Sequence, residues 1–173
     1  MNRLFGRFDP DQQLRHRDIR RYLAQCSLAG LVVLILLLVL DAVTQTVLIA
    51  ALGASAFIAF AVPRSLHSGP RSMIGGYVVG IAAGVLMSVI EHALRGGDPA
   101  YAHMLMVLFG ACSISLAMFV MVVTRTEHAP AAALALGLVL NEWDLLTLVV
   151  VLSGVITLSV FKRLVLPYLM DLL

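Results

Sequence analysis

Charge is what this chain has least of. Only 13% of its 173 residues are Asp, Glu, Lys or Arg, against about 25% in a soluble domain. That is too little polar side chain to cover a water-exposed surface, so a soluble globule is excluded. There is no excess of one sign either. The formal net charge is +2, and the basic residues form no single soluble face, which argues against nucleic-acid binding. Cysteine is nearly lacking. Cys26 and Cys112 sit singly within apolar runs, so neither a disulfide framework nor a zinc site is expected; both read as buried small hydrophobes. Glu91, His92 and His103 fit no metal-ligand spacing. The chain has no G-x-S-x-G or H-E-x-x-H motif and no glycine-rich phosphate loop, so neither an enzyme nor a bound cofactor or metal is expected.

What is there is apolar. Hydrophobic residues make up 61% of the chain, and the mean hydropathy is +0.98. A bilayer core needs about 20 helical residues, about 17 at the short limit. Residues 24–40 make a first span, interrupted by Asp41. About twenty polar residues precede it and no A-x-A-like site closes it, so it reads as a membrane span and not a cleaved signal. A second span runs from 44 to 62 and stops at Pro63. Residues 63–72 form a turn-rich loop, a third span covers 73–90, and 95–99 (RGGDP) is another breaker cluster. A fourth span covers 101–123. A short apolar run, 130–140, ends at Asn141-Glu142-Trp143-Asp144, and a sixth span covers 145–161. The chain thus divides into an N-terminal cytoplasmic segment (1–23), a transmembrane domain (24–163) and an interfacial C-terminal tail (164–173).

Basic residues decide whether the short run crosses. With six crossings and the N-terminus inside, Arg3, Arg7, Arg15, Arg17, Arg20, Arg21, Arg64, Arg71, Arg125, Lys162 and Arg163 all face the cytoplasm. Only Arg95 lies outside. This is a strong positive-inside asymmetry. The expectation is an all-α membrane bundle of six helices in a bacterial-type inner membrane, with both termini cytoplasmic. Residues 11–22 (DQQLRHRDIRRY) read as a topology anchor, or as an amphipathic helix on an anionic leaflet.

The fifth segment rises only about 18 Å as a helix, so it must end within protein or a watery cavity. Each half of the chain has a long span, a small-residue segment (Gly53-Ala54-Ser55-Ala56, then Ala131-Ala132-Ala133) and another long span. Three crossings per half make the halves inverted. Inverted repeats with short or interrupted helices 2 and 5 point to a transporter with a midplane site. If helix 2 restarts at Gly53, its free N–H groups favour an anion, with Ser55 adding a hydroxyl; the alternative is a packing notch with Ser55 bonded back to its own helix. Pro130 suits a first helical position, which makes Ala131–Ala133 a second helix start, with His128 as proton carrier or donor. Arg71 would draw anions to the inner mouth or simply anchor topology. Glu142 and Asp144 mark a pathway, or cap helix 6 through Asp144. Gly76, Gly80 and Gly84 line one face of helix 3, for internal packing or a homo-oligomer interface.

The stretch Leu52-Gly53-Ala54-Ser55-Ala56, Phe60-Ala61-Val62-Pro63 and Gly69-Pro70-Arg71-Ser72-Met73-Ile74-Gly75-Gly76 resembles the signature of the HPP family of small integral membrane proteins, roughly GASA, then F-A-V-P, then Q-P-R-N-V-I-G-G-H. The run from His128 to Leu136 resembles the family's H-P-P-A-G-A-T-A-L, and Trp143 is placed for the tryptophan that follows it. Ala129, Ala132 and Leu134 stand for Pro, Gly and Thr of that pattern, Ser72 for Asn and Tyr77 for His. The resemblance implies a membrane transporter, with nitrite as the substrate linked to some members. It makes Gly53, Ala54, Ser55, Ala56, Arg71, Tyr77, His128, Pro130, Ala131, Ala132 and Ala133 the candidate binding residues for a small anion. A non-transporting membrane scaffold is the alternative function.

Overall fold

The computed structural model describes residues 19–40 and 46–172. Most of the amphipathic 11–22 stretch and the break at Asp41 lie outside the described residues. Among the described residues six α-helices follow one another: α1 (Ile19–Leu40), α2 (Thr46–Ala61), α3 (Pro70–Leu94), α4 (Pro99–Thr124), α5 (Ala129–Leu140) and α6 (Leu145–Val165). Short 3-10 turns precede α3 (Leu66–Ser68) and follow α6 (Leu166–Tyr168). Among the described residues there is no strand. By length and composition, α3, α4 and Leu145–Tyr168 are long and apolar enough to cross a bilayer. The bundle's outside is apolar: Phe119, Val123 and Leu145 are all exposed. Such a surface suits lipid and not water.

Helix ends follow local chemistry. Pro70 starts α3 instead of ending the loop before it, because its missing N–H would be unpaired in the first turn anyway. At its other end α3 runs on past Ile90 through Glu91. That carboxylate is fully buried, yet Arg95 holds it from one turn later with Nε to Oε1 and Nη2 to Oε2, both at 3.0 Å. The paired charge no longer breaks the helix. Asp144 caps α6, its Oδ1 accepting from Thr147 N at 2.7 Å and Thr147 Oγ1 at 2.6 Å. These bonds hold the Asp144 carboxyl below its ordinary range. The lowered folded value makes the cap fully effective above the ordinary carboxylate pKa; it is lost as pH falls through that lowered value. Amide protection at 145–147 is therefore expected to fall with acidification in that window, and the drop is expected to vanish in Asp144→Asn, as hydrogen exchange would register.

The packing centre is the pair α3 and α5. α3 also meets α4 and α6, and α5 also meets α2 and α4, while α1 lies against α2 and α6. α5 is short but sheathed: Pro130, Ala131, Ala132, Leu134, Ala135, Gly137, Leu138 and Val139 are all buried. A half-length helix can end at this depth because protein surrounds it. The α3 glycine face makes the fit. A methyl group at Gly76 would lie 2.7 Å from His128 Cβ, and one at Gly84 would lie 2.8 Å from the Ala135 carbonyl oxygen; at Gly80 it would overlap the Ala131 carbonyl. Internal packing therefore fills this stripe, and it is not a free face for a second subunit.

Two other expectations change. Cys26 and Cys112 are exposed; in an apolar-surfaced bundle a thiol can face lipid as cheaply as core. α6 does not stop at Phe161 but carries Lys162 and Arg163 in its last turn. The C-terminal residues are docked onto the bundle: Leu172 N donates to Ala61 O at 2.8 Å, and Met170 N donates to Gln25 Oε1 at 3.3 Å. Gln25 Nε2 in turn donates to Phe60 O and Met170 O. The tail and Gln25 thus each supply a donor to a carbonyl at the end of α2, Leu172 to Ala61 O and Gln25 to Phe60 O, where helical partners run out.

Candidate functional site

Sequence places Ser55, Tyr77 and His128 far apart; the fold brings them into contact. Ser55 projects from the middle of α2, Tyr77 from α3, and His128 is the residue capping α5. Ser55 Oγ lies 2.8 Å from Tyr77 Oη and 2.8 Å from His128 Nε2. Ser55 and Tyr77 are completely buried and His128 is 2% exposed. The Tyr77 and His128 rings lie 5.7 Å apart, tilted by 43°.

Local backbone chemistry delivers His128 to this point. α4 ends on Arg125 in the left-handed conformation (φ 55°), its N–H directed to Met121 O and Val122 O. Thr126 N then donates to Met121 O at 2.9 Å. The chain turns and lays residues 126–128 across α3. Only glycines allow that approach: a methyl at Gly75 would sit 2.7 Å from Thr126 Cγ2, and one at Gly76 would sit 2.9 Å from Thr126 O. Outward from the site, His128 Nδ1 is 3.1 Å from His67 O.

Proton bookkeeping fixes the direction of these bonds. A carbonyl only accepts, so Nδ1 carries the proton that His67 O receives. In a neutral imidazole Nε2 is then an acceptor. Ser55 donates to it, and Tyr77 O–H donates to Ser55. If His128 gains a second proton, Nε2 becomes a donor. Ser55 must then turn its own proton to Ala51 O, 3.0 Å away on the previous turn of α2. The cluster has two self-consistent states that differ by one proton and one hydroxyl rotation.

The other candidates divide. Ala56, Pro130, Ala131 and Ala132 are buried beside the cluster, but Ala54 and Ala133 are exposed and Gly53 is half-buried. Arg71 is exposed, and its Nη2 donates to Thr124 O at 2.9 Å, closing the end of α4. α2 is continuous through its described residues, Thr46–Ala61. No helix restarts at Gly53, because its neighbours keep helical hydrogen bonding and nothing crowds it. The helix start expected at Pro130 is there, with His128 as cap. Only one of the two anticipated helix starts therefore exists, and a hydroxyl stands where the other was expected.

Sequence reasoning missed the loop beneath the cluster. His67 and Ser68 belong to the turn before α3. Ser68 Oγ bonds Pro63 O and Ser65 O, each at 2.9 Å, and Lys162 reaches it from α6. Three polar residues within four positions, Ser65, His67 and Ser68, were the available signal. At the opposite end of α3, a cleft of about 410 Å³ is lined by Ser88, Val89, His92, Glu142 and Trp143. Trp143 Nε1 donates to Ser88 Oγ at 3.0 Å there.

No curated protein and no solved structure matches the chain. A family model does: the one described as HPP, transmembrane region, over residues 15–167. The match takes in all six helices and every residue of the Ser55–Tyr77–His128 cluster, and the chain is a member of the HPP transmembrane family.

Proposed function

We propose that this protein is a transporter or facilitator of a small, nitrite-like inorganic anion, bound where Ser55, Tyr77 and His128 meet, and not an enzyme. One observation carries the reading: a single hydroxyl, Ser55 Oγ, is bonded to polar groups from two other elements in the middle of an apolar bundle. Buried polar groups are costly in such surroundings, and a purely structural contact between helices needs no such concentration. Tyr77 O–H, Ser55 O–H and, once His128 takes a second proton, its Nε2–H are donors that can turn to an anion's oxygens, and bonds to a charged acceptor are about twice as strong as neutral ones. The start of α5 at Pro130-Ala131-Ala132 adds the positive end of a helix dipole. Tyr77 keeps a donor where the family pattern has His.

In this reading α1–α3 and α4–α6 are inverted halves, with α2 and α5 as their middle helices, and both termini face the cytoplasm of a bacterial-type cell. The one-proton switch at His128 lets proton movement accompany anion movement. A scaffold function is less well supported, because the glycine face that would have received a partner is filled by α5.

The test is flux from proteoliposomes for nitrite, nitrate, formate and bicarbonate, alongside thermal unfolding of the purified protein in each anion. A ligand that binds only the folded state, at about 100 times its Kd, adds about 2.7 kcal/mol. Saturable flux with stabilisation by the same anion is the expected result. Absence of flux, together with flat unfolding curves across all four anions, would overturn the proposal.

A further inference from the structure

Lys162 is the chain's one lysine; every other basic residue among the 12 is arginine. Among the basic residues whose burial the structure describes it is also the buried one, 4% exposed in the last turn of α6. Its ammonium donates to Ser68 O at 2.5 Å and to Ser68 Oγ at 2.9 Å. Both acceptors are neutral. Among the described residues the ion pairs are those of Glu91 with His92 and Arg95, so Lys162 belongs to none. Asp171, the acidic group that acts on it electrostatically, instead accepts from Arg64 N at 3.2 Å. An ammonium has three protons to give, and a buried charge whose direct acceptors are all neutral is expensive. In the same loop as Ser68, Ser65 Oγ is a buried hydroxyl with no hydrogen-bond partner. Ser65 and Lys162 both touch Ser68: Ser68 Oγ bonds Ser65 O and Lys162 Nζ, each at 2.9 Å.

These groups join the cluster already described. The His67 carbonyl that receives His128 Nδ1 belongs to the peptide linking His67 to Ser68. From Lys162 a line of polar groups runs through Ser68, the His67 carbonyl and His128 to Ser55 and Tyr77. It starts from a fixed positive charge, which the Ser55 cluster itself lacks when His128 is neutral.

We propose that Lys162 and Ser65 form a second binding station for a small monovalent oxyanion, covered here by Ser68 and opened when the loop 63–69 lifts from α6. The anion then replaces the Ser68 oxygens as acceptor and brings a negative charge into direct contact with the ammonium, which Asp171, bonded to Arg64 N, does not. A compact ammonium on a flexible stem can exchange partners this way more readily than a planar guanidinium. This rests on the anion-transport reading above, and adds to it the residue that selects for negative charge.

The experiment measures half-saturation and maximal flux of nitrite and formate in proteoliposomes for wild type, Lys162→Met and Ser65→Ala. Met keeps the stem and removes the charge. Hydrogen bonds to charged groups contribute about 1.5–3 kcal/mol, so Lys162→Met is expected to raise half-saturation about tenfold or more. Ser65→Ala removes a hydroxyl that has no protein partner, so the unfolding temperature should stay at the wild-type value while half-saturation rises about threefold or more. Should Lys162→Met fail to fold, Ser65→Ala decides. Wild-type half-saturation in folded Ser65→Ala and Lys162→Met, with wild-type flux intact, overturns the second station alone. Absence of flux in the wild type overturns the transport reading itself.

Discussion

Gly80→Ala is expected to lower the stability of the folded bundle by about 3 kcal/mol, on the order of 10 °C in unfolding temperature. A methyl group at this position would overlap the Ala131 carbonyl oxygen. The obstacle is backbone, not the end of a flexible side chain, so no rotamer change relieves it. α3 and α5 would have to separate, and Tyr77 and His128, which flank this contact, would separate with them. The opposing gain is small: alanine in place of helical glycine is worth at most about 1 kcal/mol. Gly53→Ala is the control, since nothing lies within 4 Å of its added methyl; it should be neutral or slightly stabilising. Thermal unfolding of the detergent-solubilised protein compares the two. Equal unfolding temperatures for Gly80→Ala and wild type would mean that the close α3–α5 approach is not what holds the bundle.

Ser55→Ala is expected to cut anion flux by more than about tenfold while the protein stays folded. Removing the hydroxyl strips both Tyr77 Oη and His128 Nε2 of their hydrogen-bond partner, and each orphaned buried group costs about 1–3 kcal/mol. The bundle is therefore weakened as well, so flux must be compared at a temperature where both proteins are intact. Tyr77→Phe separates the two effects. It removes the outermost donor but leaves Ser55 bonded to His128, so the proton switch survives and flux falls less. Flux in Ser55→Ala equal to wild type, in folded protein, would remove Ser55 from the pathway.

The helices were legible because each apolar run is closed by residues that helices avoid in lipid: Pro63 with Ser65 and Gly69, then Gly96-Gly97-Asp98, then Asn141 to Asp144. The errors came where a charge was counted as a stop. Glu91 and Lys162 both continue their helices, since Arg95 and Ser68 satisfy them; the Glu91–Arg95 pair, one turn apart, was readable from spacing, whereas Ser68, 94 positions from Lys162, leaves no trace there. Gly53 shows the opposite limit. A glycine permits a break without requiring one, and here the Ser55 back-bond and unhindered packing favour continuity. Of the site, Ser55, Tyr77 and His128 were each legible as chemistry, yet no periodicity joins residues 73 positions apart. The burial of Lys162 was hidden because a basic residue after an apolar run reads as a topology anchor. Its being the only lysine among arginines was the one hint.

The two native thiols lie on the apolar outside of α1 and α4. Polar thiol reagents dissolve poorly in hydrocarbon, because their polar groups lose water there without a replacement partner. Cys112, near the middle of α4, should therefore resist polar labels even though nothing covers it. Reporter cysteines placed at water-facing positions, for spin labels or fluorophores, can then be read with Cys112 left in place.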